Sequence, residues 1–300
     1  MILVKNLHKT YGKVTALNNL SFTVNDGEIF GVIGPDGSGK TSLFRILASV
    51  LLPNSGSAEM NGLSVSKDFK KIRNIIGYMP GRFSLYQDLS VEENLKFFAT
   101  IFSTTIEENY HLIKDIYQQI EPFKKRRAGA LSGGMKQKLA LSCALIHKPE
   151  VLILDEPTTG VDPVSRKEFW DMLKRLKSEG ITILVSTAYM DEAGLCDRIA
   201  LMREGNFIAT DTPQNIINSY NETLLAVQTE NMSASLSDLR NHPKVKTCFA
   251  FGNQHHITVH ADLSISDLQH YLNEKGYSTV EIKAIEPTVE DCFMALTNNP

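Results

Sequence analysis

The chain has 300 residues, with 31 Lys and Arg against 34 Asp and Glu, and a formal charge of −3. That balance excludes the broad basic field of a nonspecific nucleic-acid binder, so no nucleic-acid partner is expected. Hydrophobic residues make up 42% of the chain, enough for a sizeable core.

The first residues, MILVKNLHKTYG, carry no long apolar stretch and no small-residue cleavage site, so no secretory signal is expected. No window approaches the roughly 18 uninterrupted apolar residues of a membrane span. Any membrane crossing must come from another polypeptide. ALNNLSFTV and EIFGVIGP then read as strands, and GKTSLFRILASVLL follows with helical spacing. Between about Leu89 and Pro149 the pattern turns helical. SVEENLKFFATIF opens with a capping box, Ser90 and Glu93, and IEENYHLIKDIYQQI and GMKQKLALSCALIHK are further helical runs. VLILDEP and ITILVSTA are continuous and apolar, as buried strands of a parallel sheet are. RIALMREGNFIATD reads as a hairpin turning at Glu204–Gly205–Asn206. After about Tyr220, TLLAVQT, VKTCFAF, HHITVHA and TVEIKAI read as strands, and SASLSDLRN and SISDLQHYLNEKG as helices. That order, β-α-β-β-α-β, predicts a small ferredoxin-like α+β domain. The expected division is 1–220, with its helical part at about 89–149, and 221–300. Cys143, Cys196, Cys248 and Cys292 are scattered without a CxxC pair, which suits reduced thiols in a cytosolic protein.

Residues 34–41 carry the first chemistry. Gly34, Pro35, Asp36, Gly37, Ser38, Gly39, Lys40 and Thr41 match G-x-x-x-x-G-K-[ST], a phosphate cradle between strand and helix. Its glycines let amides curl around an anion, and the helix points its positive end there. Lys40 can reach the β- and γ-phosphates, Ser42 continues the nucleotide-binding stretch, and Thr41 can ligate Mg2+. The α/β pattern with this cradle predicts a P-loop NTPase, a RecA-like core with a helical insert. VLILDEP supplies the second half of the site. Asp155 ends the strand and can hold Mg2+, and Glu156 can accept a proton from attacking water. Alone, that stretch would be a plain strand end with solvated acids.

Leu131-Ser132-Gly133-Gly134-Met135 matches the signature of the ATP-binding cassette ATPases, which the chain resembles over residues 1–220. Ser132 and the glycine amides form a second anion-binding helix start. The resemblance implies that its phosphate is the γ-phosphate of ATP held by an opposite subunit. It implies further that Tyr11 stacks on adenine, against the alternative of a turn-forming tyrosine, and that Gly160, Val161 and Asp162 belong to a loop crossing the dimer interface. EPTVEDCFMALT resembles the end of the accessory domain in drug- and sodium-exporter-type cassettes. The implied partners are a second cassette, identical or different, and integral membrane permease subunits. The implied place is the cytoplasmic face of the membrane.

Two positions depart from the family pattern. Gly81 stands where its glutamine touches Mg2+ and water, and Ala188 where its histidine meets the γ-phosphate. Each loss is expected to slow turnover by on the order of 10²–10³. Arg82 and Gln87 are candidate substitutes for the missing glutamine. Two readings follow: an ATP-hydrolysing exporter subunit, and a catalytically weak ATP-binding switch that completes a partner's site. A soluble cassette acting on ribosomes or DNA is disfavoured by the single cassette and lack of heptads. His255, His256 and His260 are expected on a solvated strand, and Lys124–Arg127 on a solvated face.

Overall fold

The computed structural model describes residues 1–298 and divides into two compact units, 1–213 and 214 onward. The sequence pattern places the boundary after 220. Helix Pro213–Asn218 makes the difference: it buries Ile216, whose carbonyl accepts the Cys292 thiol at 3.5 Å, which ties the helix to the C-terminal unit.

In the first unit, a six-stranded sheet runs in the spatial order 206–211, 198–203, 29–33, 182–187, 151–155, 76–79. Neighbours are parallel except at the outer hairpin. Ile29–Ile33, Val151–Asp155 and Thr182–Thr187 are buried at every position, as strands covered on both faces must be. The hairpin turns at Glu204 and Gly205, at φ 49° and 78°, the left-handed pair that a two-residue hairpin loop uses.

A second, antiparallel sheet pairs Val14–Val24, Ile2–Tyr11, Ser55–Met60 and Leu63–Ser64 in that order. Its Ile2, Leu7, Leu17 and Met60 share one buried cluster with Phe30, Val32 and Leu184 of the central sheet. Leu43, Phe44 and Leu47 of helix Lys40–Leu47 join that cluster. The packing seats the start of the helix beyond the carboxyl end of strand Ile29–Ile33, where open α/β sheets bind ligands.

The insert consists of helices Val91–Ile101, Tyr110–Tyr117 and Gly133–Leu145. Its first helix has the expected capping box: Ser90 Oγ accepts from Glu93 N at 3.2 Å, and the Glu93 carboxylate accepts the Ser90 N–H at 2.8 Å. The middle helix starts later than its apolar pattern. Thr105 and Glu108 cap each other through 3.2 Å bonds and hold the preceding residues in a turn.

The second unit is a four-stranded antiparallel sheet in the order Val245–Phe251, Gln254–Val259, Leu224–Thr229, Val280–Ala284. Helices Met232–Arg240 and Ile265–Glu274 complete the ferredoxin-like connectivity. Leu225, Val227, Leu239, Ile257, Leu268 and Leu272 form its core. The histidines correct a sequence expectation, because His255 and His256 are buried at 2% and 5% exposure rather than solvated. His255 Nε2 lies 2.8 Å from Met232 O, and His256 Nδ1 lies 2.7 Å from Asp291. Asp291 comes from helix Val289–Asn298, a partner that the strand pattern alone does not reveal. Of the three, His260, past the strand end, is the exposed one.

Candidate nucleotide site

The loop of residues 34–39 is shaped by two close approaches. A Cβ at Gly34 would lie 2.2 Å from Met202 O, and one at Gly39, which has φ 114°, would lie 2.3 Å from Ala16 O. Neither position tolerates a side chain, so the backbone itself lines the loop. Gly34 N–H donates to Thr187 O at 3.2 Å and Gly205 N–H to Ser38 O at 2.9 Å, which staples the loop to the sheet edge. Pro35, Asp36 and Gly37 form its exposed tip. Gly39 offers no side-chain cap, so the first amides of helix Lys40–Leu47 stay open to an anion. The Ser38 hydroxyl is buried with no hydrogen-bond partner among the described residues. A phosphate oxygen in the loop would satisfy it, so the residues present fit such a group. Tyr11 is 46% exposed, its hydroxyl lies 3.4 Å from Ser42 Oγ, and Lys9 Nζ sits over its ring at 5.4 Å from the centroid.

Five charged or polar side chains meet at the base of the loop. Lys40 is 3% exposed, donates to Gly34 O at 2.7 Å and Pro35 O at 3.0 Å, and pairs with Glu156 Oε1 at 3.2 Å. The Thr41 hydroxyl donates to Asp155 Oδ1 at 3.3 Å. Asp155 is 1% exposed and pairs in register with Ser186, whose hydroxyl donates to the same oxygen at 2.7 Å. Glu156 has φ 50°, a left-handed conformation that a non-glycine residue holds only under constraint. The neighbouring Tyr78 phenol is pushed up to about 12 by burial and by the charge of Asp155, so it is neutral here. Thr41 and Asp155 present two hard oxygens side by side, a donor set that suits a hard cation sharing phosphate oxygens.

The signature stretch lies at the start of helix Gly133–Leu145. Ser132 Oγ accepts from Met135 N at 3.4 Å, Leu131 is buried, and Ser132 and Gly133 are exposed. Gly133 adjoins the loop after Glu156 and Gly134 the start of helix Pro163–Ser178. A Cβ on the first would be 3.7 Å from Gly160 O, and on the second 3.3 Å from Ser165 Oγ. Val161 N–H donates to Thr158 O at 3.2 Å within that loop. Asp162 caps helix Pro163–Ser178 by accepting from Val164 N at 3.1 Å and Ser165 N at 3.0 Å. The backbone amide of Ser165 is the main cause holding its carboxyl below the usual range.

The same residues decide the family. A model described as ABC transporter matches residues 17–159, the span holding the cradle, the signature and both carboxylates. Nod factor export ATP-binding protein I of Burkholderia lata is 38% identical over 218 residues, 72% of each chain. The chain belongs to the ABC transporter family. A probable multidrug ABC transporter ATP-binding protein of Escherichia coli K12 is 37% identical over 94% of this chain. The chain spans only 49% of that relative's length. The linearmycin resistance ATP-binding protein LnrL of Bacillus subtilis is 29% identical, with 99% of this chain and 98% of the relative covered. Among solved structures, a dimeric bacterial ABC transporter cassette aligns at TM-score 0.65 and 27% identity, covering 71% of this chain and 98% of that one.

Set against this ABC family pattern, the two departures have a structural setting. A Cβ at Gly81 would be 3.1 Å from Asp155 O and 3.7 Å from Asp155 Oδ2, so position 81 adjoins the carboxylate. Ala188 follows Thr187, whose carbonyl holds Gly34 of the cradle. Among the described residues, neither candidate substitute for the glutamine forms a hydrogen bond or ion pair with Asp155. Arg82 is exposed, and the backbone carbonyl of Gln87 accepts the Gly129 N–H at 2.9 Å, which holds that segment to the insert. Sequence reasoning missed Ser186, whose hydroxyl is at the centre of the carboxylate network. The register of an aspartate-ended strand against its neighbour was the signal that could have found it.

Proposed function

We propose that this chain is the ATP-binding and ATP-hydrolysing subunit of an exporter, acting at the cytoplasmic face of a membrane. It would work with a second cassette and energise separate integral membrane permease subunits. The convergence of Lys40, Thr41, Asp155 and Glu156 at one glycine-lined loop carries this reading. Lys40 and the open amides take the β- and γ-phosphates of ATP. As phosphate oxygens engage the Lys40 ammonium, its 3.2 Å contact with Glu156 gives way. The freed carboxylate then accepts the proton of the attacking water. Thr41 and Asp155 would hold Mg2+, which when bound neutralises charge on the β- and γ-oxygens. Tyr11 gives the adenine a stacking face. The exposed start of helix Gly133–Leu145 offers its amides to the ATP of an opposing cassette, alongside Gly160, Val161 and Asp162.

Gly81 and Ala188 favour a second reading, a weak site that binds ATP and completes a partner's site. Steady-state hydrolysis by the purified chain, alone and with its copurified membrane partners, separates the two. Turnover of about 1–100 s⁻¹ supports the hydrolysing subunit. Saturable binding with negligible turnover even in the assembled complex supports the switch, and no saturable Mg2+-nucleotide binding in either setting overturns both.

A further inference from the structure

One hydroxyl reaches both acids of the site. Ser186 is fully buried on strand Thr182–Thr187, in register with Asp155 on one side and Val32 on the other. Its Oγ donates to Asp155 Oδ1 at 2.7 Å and accepts the Glu156 N–H at 3.0 Å. Its own carbonyl shares that N–H at 3.1 Å.

We propose that Ser186 is a positioning residue that sets the direction of both carboxylates toward the bound nucleotide and its metal. The proposal rests on the nucleotide reading above. Asp155 is buried, so its rotamer is decided by the few donors that reach it. Ser186 and Thr41 both engage Oδ1, which leaves Oδ2 turned toward the space beside Gly81. Glu156 begins a left-handed turn at φ 50°, and its amide is held by two acceptors from one residue. That anchor aims the Glu156 side chain at Lys40, 3.2 Å away, and so at the place where phosphate and water meet. With a methyl group in place of the hydroxyl, Asp155 loses its shortest bond and Glu156 keeps only the carbonyl. A hydroxyl in a buried apolar strand without such duties would be replaceable by alanine.

The test uses the full chain with Ser186→Ala and Ser186→Thr. Affinity for a non-hydrolysable ATP analogue is measured with and without Mg2+, and exchange of the Glu156 amide is followed by NMR or mass spectrometry. Outer-sphere partners of metal ligands typically govern about 10–100-fold in metal affinity. Ser186→Ala is therefore expected to lose that much of the Mg2+-dependent gain, keep the metal-free affinity within about twofold, and speed exchange at Glu156. Ser186→Thr restores the gain and the protection. A Ser186→Ala protein with the parent's Mg2+ gain and parent exchange overturns the proposal. If the parent itself shows no Mg2+-nucleotide binding, the functional reading fails. Exchange at Glu156 then decides the anchoring alone, unchanged exchange refuting it. Should Ser186→Ala not fold, Ser186→Cys, of similar volume and weaker donor strength, replaces it under the same criteria.

Discussion

Gly81 adjoins the Asp155 carboxylate, so under the proposed function it bears on the rate of turnover. Its φ lies outside the left-handed region, so the backbone accepts any residue, but a Cβ there comes within 3.1 Å of Asp155 O. The segment has therefore settled a few tenths of an ångström closer to Asp155 than a glutamine would allow. Restoring the family's residue forces that small retreat and brings an amide to the carboxylate edge. Gly81→Gln combined with Ala188→His is expected to raise steady-state turnover by on the order of 10² or more, since each restores one transition-state donor. Nucleotide affinity should change little, because Lys40 and the loop amides are untouched. Turnover that stays flat in the double variant would mean that another group already does this work. This position was legible from the sequence because a motif marks it. Its contact with Asp155 was not, because the approach depends on how strand Ile76–Met79 leaves the sheet beside Val151–Asp155.

Among elements, the ones with strong local signals were readable and the ones completed by distant partners were not. The cradle helix, the capped helix at Ser90 and the parallel strands announce themselves through glycines, a capping box and unbroken apolar runs. Strand Ser55–Met60 alternates weakly and leaves most of its residues exposed, so its place beside Ile2–Tyr11 emerges only from pairing. In ITILVSTA, Ser186 looks like one more strand residue until Asp155 is seen beside it. Glu192 is a similar case. It is 2% exposed and accepts the Thr158 hydroxyl at 3.0 Å and Arg166 Nε at 3.1 Å. Arg166 also stacks on Tyr189 at 4.1 Å. These bonds join the loop after Glu156, helix Pro163–Ser178 and the segment after Ala188. Removing one side of a buried ion pair strands the other, at up to about 3–5 kcal/mol. Arg166 is one-fifth exposed and keeps Asp191 at 3.3 Å, so Glu192→Ala should cost about 1–3 kcal/mol in chemical denaturation. A loss below about 0.5 kcal/mol, the range of neutral surface changes, would show that the network is incidental.

At the scale of the whole molecule, two units with separate cores call for probes that see them apart. The chain has one tryptophan, Trp170, and it is buried in helix Pro163–Ser178 of the first unit. Its fluorescence reports that unit, while far-ultraviolet circular dichroism reports both. Glu230 offers a handle on the second. Its carboxylate accepts from Ser278 N at 2.6 Å, Ser278 Oγ at 3.0 Å and Thr279 N at 2.9 Å. These bonds, the Ser278 amide first, pull its pKa from 4.5 down to about 2. A folded value below the unfolded one means that the carboxylate stabilises the unit fully above pH 4.5. The contribution fades as pH falls from there through about 2. Glu230→Gln is thus expected to lower the circular-dichroism melting transition by a few degrees at pH 7, with the gap to the parent narrowing steadily below pH 4.5. Because Glu230 is fully exposed, the effect is modest. The Trp170 transition should stay in place throughout. A Trp170 transition that moves in step with the circular dichroism would show the two units unfolding as one, and a gap that widens toward acid would contradict the role assigned to the carboxylate.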